Sequence, residues 1–256
     1  MTDDINIQLE GRSLHIIMDR PKRKNALTMA MYTAMADAIN DAAENDEIRN
    51  IVLRGEADCF TSGNDLEDFM KNPPQGNDSP VATFMRNLYN CPKPVLAAVD
   101  GDAVGIGTTM LLHCDLVYAA DSARLQMPFV KLGLCPEYAS SYLLPRICGH
   151  VKASELLLFG EPFDAQTAKE CGLVNDVVPA SDLLSLVREK ADKLAKQPPA
   201  AIRSTKQLLR GPRRQEGSDV MDEEMVLFGQ GLQGQEFVEA VTAFFEKRDP
   251  DFSRFN

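Results

Sequence analysis

The stretch Pro94-Val95-Leu96-Ala97-Ala98-Val99-Asp100-Gly101-Asp102-Ala103-Val104-Gly105-Ile106-Gly107-Thr108-Thr109-Met110-Leu111-Leu112 organises the rest of this chain. The apolar run up to Val99 reads as a strand, and Asp100-Gly101 closes it with a turn. Gly105-Ile106-Gly107 is then a glycine turn opening a buried apolar helix. Strand, turn and helix within so short a stretch point to a mixed α/β chain. The first N–H groups of a helix have no partner inside it, so such a turn can hold negative charge. A glycine at a strand-to-helix junction also has a purely structural use.

Upstream, Ile5, Ile7 and Leu9 alternate with polar residues, and Gly11-Arg12 turns the chain into Leu14-His15-Ile16-Ile17-Met18, predicting a β-hairpin. Asp19-Arg20-Pro21-Lys22-Arg23-Lys24-Asn25 follows as a polar loop with four cations among seven residues. Thr28 is placed to cap a helix to about Ala43, and Ile51-Val52-Leu53 is a short buried strand ending at Gly55. Ser62-Gly63-Asn64 is a second glycine turn, leading into a helix at Leu66-Phe69-Met70. Lys71 to Ser79 is rich in Pro, Gly, Asn and Asp and is expected to be a mobile loop, followed by a helix from Pro80 to Tyr89.

Downstream, Asp115–Ala120 and Arg124–Met127 read as strands. Val151–Phe159 and Ala165–Cys171 read as helices, each followed by a C-terminal glycine. Asn175–Val178 is a strand, and Ser181 is expected to cap a long helix to Lys196. Gln197-Pro198-Pro199 marks the clearest boundary, dividing a core over residues 1–196 from a helical region over 197–256. Strand-strand-helix units recur before it.

Composition narrows the function classes. Hydrophobic content of 44% and charged content of 25% are globular values. A net charge of −11 argues against a general nucleic-acid binder and against attachment to an anionic membrane surface, while leaving a small anionic ligand open. No apolar run reaches the roughly 18 residues of a membrane span, and no signal peptide is visible. The six cysteines form no Cys-x-x-Cys pair and read as reduced core thiols of a cytoplasmic protein; the three histidines are scattered, so no metal site is expected.

Leu132-Gly133-Leu134-Cys135-Pro136-Glu137-Tyr138-Ala139-Ser140-Ser141 sets one carboxylate in a weakly polar run. Pro136 biases Cys135 away from helix, so the chain turns just before Glu137, and Ser140 or Ser141 is expected to cap a helix from about Tyr142. Glu137 is either a solvated acid at a helix N-terminus or, if desolvated, a general base with a raised pKa. The two glycine turns, if they converge, form an oxyanion hole. Gly105-x-Gly107 does not complete a dinucleotide fingerprint, since Met110 stands at the third glycine's place, and neither a Walker A sequence nor a Gly-x-Ser-x-Gly elbow is present.

In order and spacing, Arg20-Pro21 with Asn25-Ala26-Leu27, Phe60-Thr61-Ser62-Gly63-Asn64-Asp65-Leu66, Val99 to Gly107 and Cys114-Asp115 resemble the crotonase (enoyl-CoA hydratase/isomerase) superfamily. Gly172-Leu173-Val174 and Phe245-Glu246-Lys247-Arg248 with Pro250 and Phe252 extend the resemblance over nearly the whole chain. It implies an α/β fold, a spiral of β-β-α units with a C-terminal helical region used in trimer formation, as a homotrimer or a dimer of trimers. It also implies an acyl-CoA substrate and no other cofactor. The thioester oxygen would lie between the amides of Asn64 and Ile106, and CoA along Lys22, Arg23, Lys24 and Ala26.

Hydratases of this family use two glutamates, at positions filled here by Thr109 and Phe129. Gln126-Met127-Pro128-Phe129 with Leu132 to Ser141 is instead similar to the 3-enoyl-CoA to 2-enoyl-CoA isomerase branch, which implies Glu137 as a single catalytic base. Phe129, Leu134 and Tyr138 are candidates for the acyl pocket or for ordinary core; Asp65 reads as a helix cap. The competing readings are a hydratase using Glu137 with a backbone-held water, a dehalogenase or decarboxylase relative, and a non-catalytic acyl-CoA-binding protein.

Overall fold

The apolar runs assemble into two sheets in a computed structural model that describes residues 2–72, 76, 78–211 and 213–255. The strands are β1 (Ile5–Glu10), β2 (Ser13–Met18), β3 (Asn50–Gly55), β4 (Val95–Val99), β5 (Asp102–Val104), β6 (Leu116–Ala120), β7 (Arg124–Gln126), β8 (Phe163–Asp164) and β9 (Asp176–Val178). The larger sheet has six strands in the order β1-β2-β3-β4-β6-β9, antiparallel at β1–β2 and parallel at every other pairing. Its central strands are buried on both faces, which is why β2, β3 and β4 read as unbroken apolar runs rather than alternating ones.

The smaller sheet has the order β5-β7-β8. Each of β4 and β6 passes through a short turn into a strand of this second sheet, β5 and β7. Earlier passes of the chain extend the layer by single parallel bridges, Thr61 to Ala103 and Leu27 to Asn64. This repeated stepping from one sheet to the next is the β-β-α spiral, and it brings Leu27, Asn64 and Val104 onto adjacent rungs.

The helices are α1 (Met29–Glu44), α2 (Leu66–Lys71), α3 (Pro80–Asn90), α4 (Ile106–Thr109), α5 (Ser140–Cys148), α6 (His150–Phe159), α7 (Ala165–Glu170), α8 (Ala180–Ala195), α9 (Pro199–Arg210), α10 (Arg213–Leu232) and α11 (Gln235–Glu246). Met31, Met35 and Ile39 of α1 and Phe84 and Leu88 of α3 join Ile16, Leu53 and Ala97 in the main core. The other sheet face is covered by Leu183, Val187 and Ala191 of α8, packed on Val52, Leu96 and Tyr118. Among the described residues no helix is long and apolar enough to cross a membrane.

Three local expectations change. The α8 N-cap is Pro179, with Ser181 inside the helix and its hydroxyl on Asp182, because the helix starts one residue before the serine. Ser140 and Ser141 lie within α5 rather than before it, and Ala139 in left-handed backbone occupies the cap position. The mobile loop expected over Lys71 to Ser79 falls partly outside the described residues (73–75 and 77); Ser79 itself caps α3, accepting from the Ala82 amide at 3.3 Å.

Candidate active site

The site begins with two loops joined by main-chain hydrogen bonds. Leu27 N–H donates to Gly63 O at 2.8 Å, Ser62 N–H to Lys24 O at 3.0 Å and Asp65 N–H to Leu27 O at 2.9 Å. Asn25 is fully buried beneath them. Its amide oxygen accepts from Arg20 N, and its NH2 donates to the carbonyls of Glu56 and Cys59. Asp65 does cap α2, accepting from the Glu67 and Asp68 amides, and it also receives the Arg20 guanidinium at 2.7 Å. Burial by itself would raise the Asp65 carboxyl, but Arg20 and the Asp68 amide outweigh it and hold the group below the usual carboxylate range.

The two glycine turns are shaped by backbone that few side-chain-bearing residues adopt. Gly63 has φ +88°, and a Cβ there would lie 2.8 Å from Val104 O. Gly105 has φ +57° and ψ −120°, and its own N–H is used by Gln126 O at 2.8 Å. Neither the Asn64 nor the Ile106 amide donates to a protein acceptor among the described residues. Both residues line one cavity of about 710 Å³, together with Glu137. Asn64, Ile106 and Glu137 also line a second cavity of about 270 Å³, walled by Val81, Ala82 and Met85 of α3 and by Asp222, Met225 and Val226 of α10. Asn64, Ile106 and Glu137 thus lie on the wall that the two cavities share.

Glu137 is 8% exposed, and burial pushes its carboxyl up to about 8. The Thr109 hydroxyl, which donates to Glu137 Oε1, opposes that rise, and the charge of Glu224 adds to it. Thr109 is fully buried on α4 just after the glycine turn. Thr109 therefore supplies a hydroxyl donor to the buried Glu137 carboxylate.

The turn that presents Glu137 is unusual: Tyr138 and Ala139 both have positive φ, +60° and +53°. Ser140 Oγ donates to Glu137 O at 2.6 Å. His113 is buried and neutral, its pKa pushed down to about 3 by burial, and its Nε2–H donates to Tyr138 O at 2.7 Å. From α10, the Glu224 carboxylate accepts from Ala139 N at 2.5 Å and from Ser141 N at 3.0 Å. No local signal in the sequence points to Glu224, whose bonding partners lie more than eighty positions away.

Of the residues expected at the site, Arg23, Lys24, Ala26, Asn64, Ile106, Phe129, Leu134 and Glu137 all line the 710 Å³ cavity. Two do not. Lys22 is exposed in a short helical turn and lies off the cavity wall. Tyr138 faces the core: it is fully buried, donates to Met85 O at 2.8 Å and stacks on His113 at 3.8 Å between ring centroids. Its positive φ turns the side chain away from the chamber that its neighbour Glu137 enters.

The loop cations are also less free than their sequence suggests. Arg23 pairs with Asp65 and Glu67 at 3.4 and 3.2 Å, and Lys24 with Asp102 at 3.1 Å. The same cavity takes Phe228, Leu232, Phe237, Phe244 and Phe245 from α10 and α11, so the site is not confined to residues 1–196.

The sequence pattern of the enoyl-CoA hydratase/isomerase family matches residues 11–254, and the chain belongs to that family, with its crotonase fold. Its relatives include human enoyl-CoA delta isomerase 2, 39% identical over 91% of this chain and 61% of the relative. The chain thus spans about three fifths of that protein's length. The Escherichia coli K12 2,3-dehydroadipyl-CoA hydratase is 32% identical over 97% of this chain and 98% of its own. The crystal structure of an enoyl-CoA hydratase/isomerase from Pseudoalteromonas atlantica T6c superposes with a TM-score of 0.94 at 40% identity, covering 98% of this chain and all of that one.

Proposed function

We propose that this protein is an enoyl-CoA isomerase that shifts a 3-enoyl-CoA double bond to the 2-position, with Glu137 as its single acid/base. The carrying observation is the one buried carboxylate on the wall shared by both chambers, beside two unengaged amides, with Thr109 and Phe129 where a hydratase places its acids. Glu137 removes a proton from C2, and the electron pair delocalises through C1 onto the thioester oxygen, giving a dienolate. The amides of Asn64 and Ile106 stabilise that charge. As the C1 carbonyl re-forms, the C1=C2 pair moves to make C2=C3, and the C3=C4 pair takes the proton back at C4 from the Glu137 carboxylic acid. Atoms balance without water or an oxidant, and one base suffices because it returns what it removed.

In this reading CoA lies along Arg23, Lys24 and Ala26, with Lys22 at its edge. The acyl chain passes Phe129 and Leu134 toward the second cavity, and no cofactor beyond the CoA thioester is used. The six free cysteines support a reducing compartment, the cytoplasm. Exposed Leu208 and Leu209 on α9 and Val226 and Leu227 on α10 support assembly as a homotrimer or a dimer of trimers.

Hydration is the second reading, favoured by the similarity to the E. coli hydratase. It requires a second group to deliver a proton to carbon while water is activated, and the first candidate position holds a threonine. Formation of the conjugated thioester from 3-enoyl-CoA, followed by ultraviolet absorbance, decides between them. Isomerisation by the wild type with near-complete loss in Glu137→Gln is expected. Hydration of crotonyl-CoA without isomerisation, or CoA binding with no turnover, would overturn the proposal.

A further inference from the structure

Glu224 has no part in the mechanism above, yet it is buried on α10 while its neighbours Asp222 and Glu223 are exposed. Its Oε2 accepts from Ala139 N at 2.5 Å, and its Oε1 accepts from both Ser141 N at 3.0 Å and Ser141 Oγ at 2.5 Å. These donors belong to the first turn of α5, which has no cap from its own preceding residue because Ala139 occupies that place. A distant helix therefore supplies the acceptor that a local Ser or Asp would normally provide. The same contacts hold Tyr138 and Ala139 in left-handed backbone, and that backbone turns Glu137 into the cavity and Tyr138 out of it.

We propose that Glu224 is a positioning residue for the isomerisation, holding the 137–141 turn so that the Glu137 carboxylate faces the two cavities it lines. The proposal rests on Glu137 being the base. It gives α10 a second task beside lining the cavity with Met225 and Phe228.

The charges around the pair support it. Burial pushes Glu224 up to about 7 against the pull of its three donors, and Glu223 on the same helix adds to the rise. Around Glu137 stand the Thr109 hydroxyl from α4, Tyr32 from α1, and Cys135 and Tyr138 from its own loop. An ionised Glu224 disfavours ionisation of Glu137. A neutral residue at 224 has two consequences: the turn loosens, and Glu137 ionises at lower pH.

The test is steady-state isomerisation of one 3-enoyl-CoA by the full chain from pH 6 to 10. Glu224→Gln cannot accept from all three donors, since one end of its amide is itself a donor. It is expected to lower kcat about tenfold or more with KM held within about threefold. Its rising pH limb is expected to move down by about half a unit. Glu224→Asp keeps the charge, and should leave the limb in place while recovering part of kcat. Glu223→Gln, on the exposed side of the helix, should match the wild type.

A wild-type kcat in Glu224→Gln overturns the proposal, and so does a loss of activity with the limb unmoved. Should Glu224→Gln fail to fold, Ser141→Ala removes one donor and no charge. It is expected to lower kcat about threefold at constant KM, and an unchanged kcat is equally fatal. An inactive wild type, or a Glu137→Gln that still turns over, refutes the base assignment itself. Loss in Glu137→Gln beside a wild-type-like Glu224→Gln refutes only the role of Glu224.

Discussion

Thr109→Val isolates the electrostatic setting of Glu137, the proposed base. The substitution is nearly isosteric at a fully buried position and removes only the hydroxyl that donates to Glu137. With a carboxyl at about 8, about one Glu137 in ten is ionised at neutral pH. A hydrogen bond to a charged group is worth about 1.5–3 kcal/mol, and about 1.4 kcal/mol moves a pKa by one unit. The neutral acid loses part of the same contact, so the net displacement of the pH–rate limb is about one unit upward. At pH 7 the variant should therefore show about a tenfold lower kcat/KM. Near pH 10, where both proteins are ionised, the deficit should largely disappear. The assay is conjugated-thioester formation from 3-enoyl-CoA at subsaturating substrate across that range. A loss of equal size at every pH, or a limb displaced toward acid, would refute the claim that Thr109 stabilises the ionised base.

Two further outcomes follow from the same geometry. Since the folded pKa of Glu137 is raised from 4.5 to about 8, the fold favours the neutral acid, and this stability is complete below 4.5 and lost as pH rises through 8. Glu137→Gln should thus melt several degrees above the wild type at pH 9, with the gap closing toward pH 5. The full penalty is on the order of 4–5 kcal/mol, and a pH-independent difference in thermal unfolding would contradict it. Gly63→Ala, at φ +88° with a Cβ 2.8 Å from Val104 O, should displace the Asn64 amide and lower kcat by about 10²–10³. Calorimetry with CoA should show binding largely kept, and an unaltered kcat would remove that amide from the mechanism.

Much of this protein was legible locally. The hairpin, the Thr28 cap, the buried parallel strands and the two glycine turns all appear where their residues predict them. Each depends on chemistry within a few positions: a side-chain oxygen reaching a nearby amide, a glycine accepting positive φ, an apolar run buried on both faces. The errors share a cause as well. Ser140 and Ser141 read as caps because their type suits that role, but the acceptor came from Glu224 on α10. Lys22 read as part of a cationic loop whose Arg23 and Lys24 prove to be paired with acids from other segments.

The sequence alone therefore determined the α/β spiral, the family, the two glycine turns and Glu137 as the residue to watch. Only the tertiary structure decided that Thr109 donates to that carboxylate, that Tyr138 belongs to the core, and that a helix far along the chain closes the site. The physical reason is reach. Turn and helix preferences act over a few residues, whereas burial, pKa and the direction of a side chain on a left-handed turn depend on groups that meet only after folding.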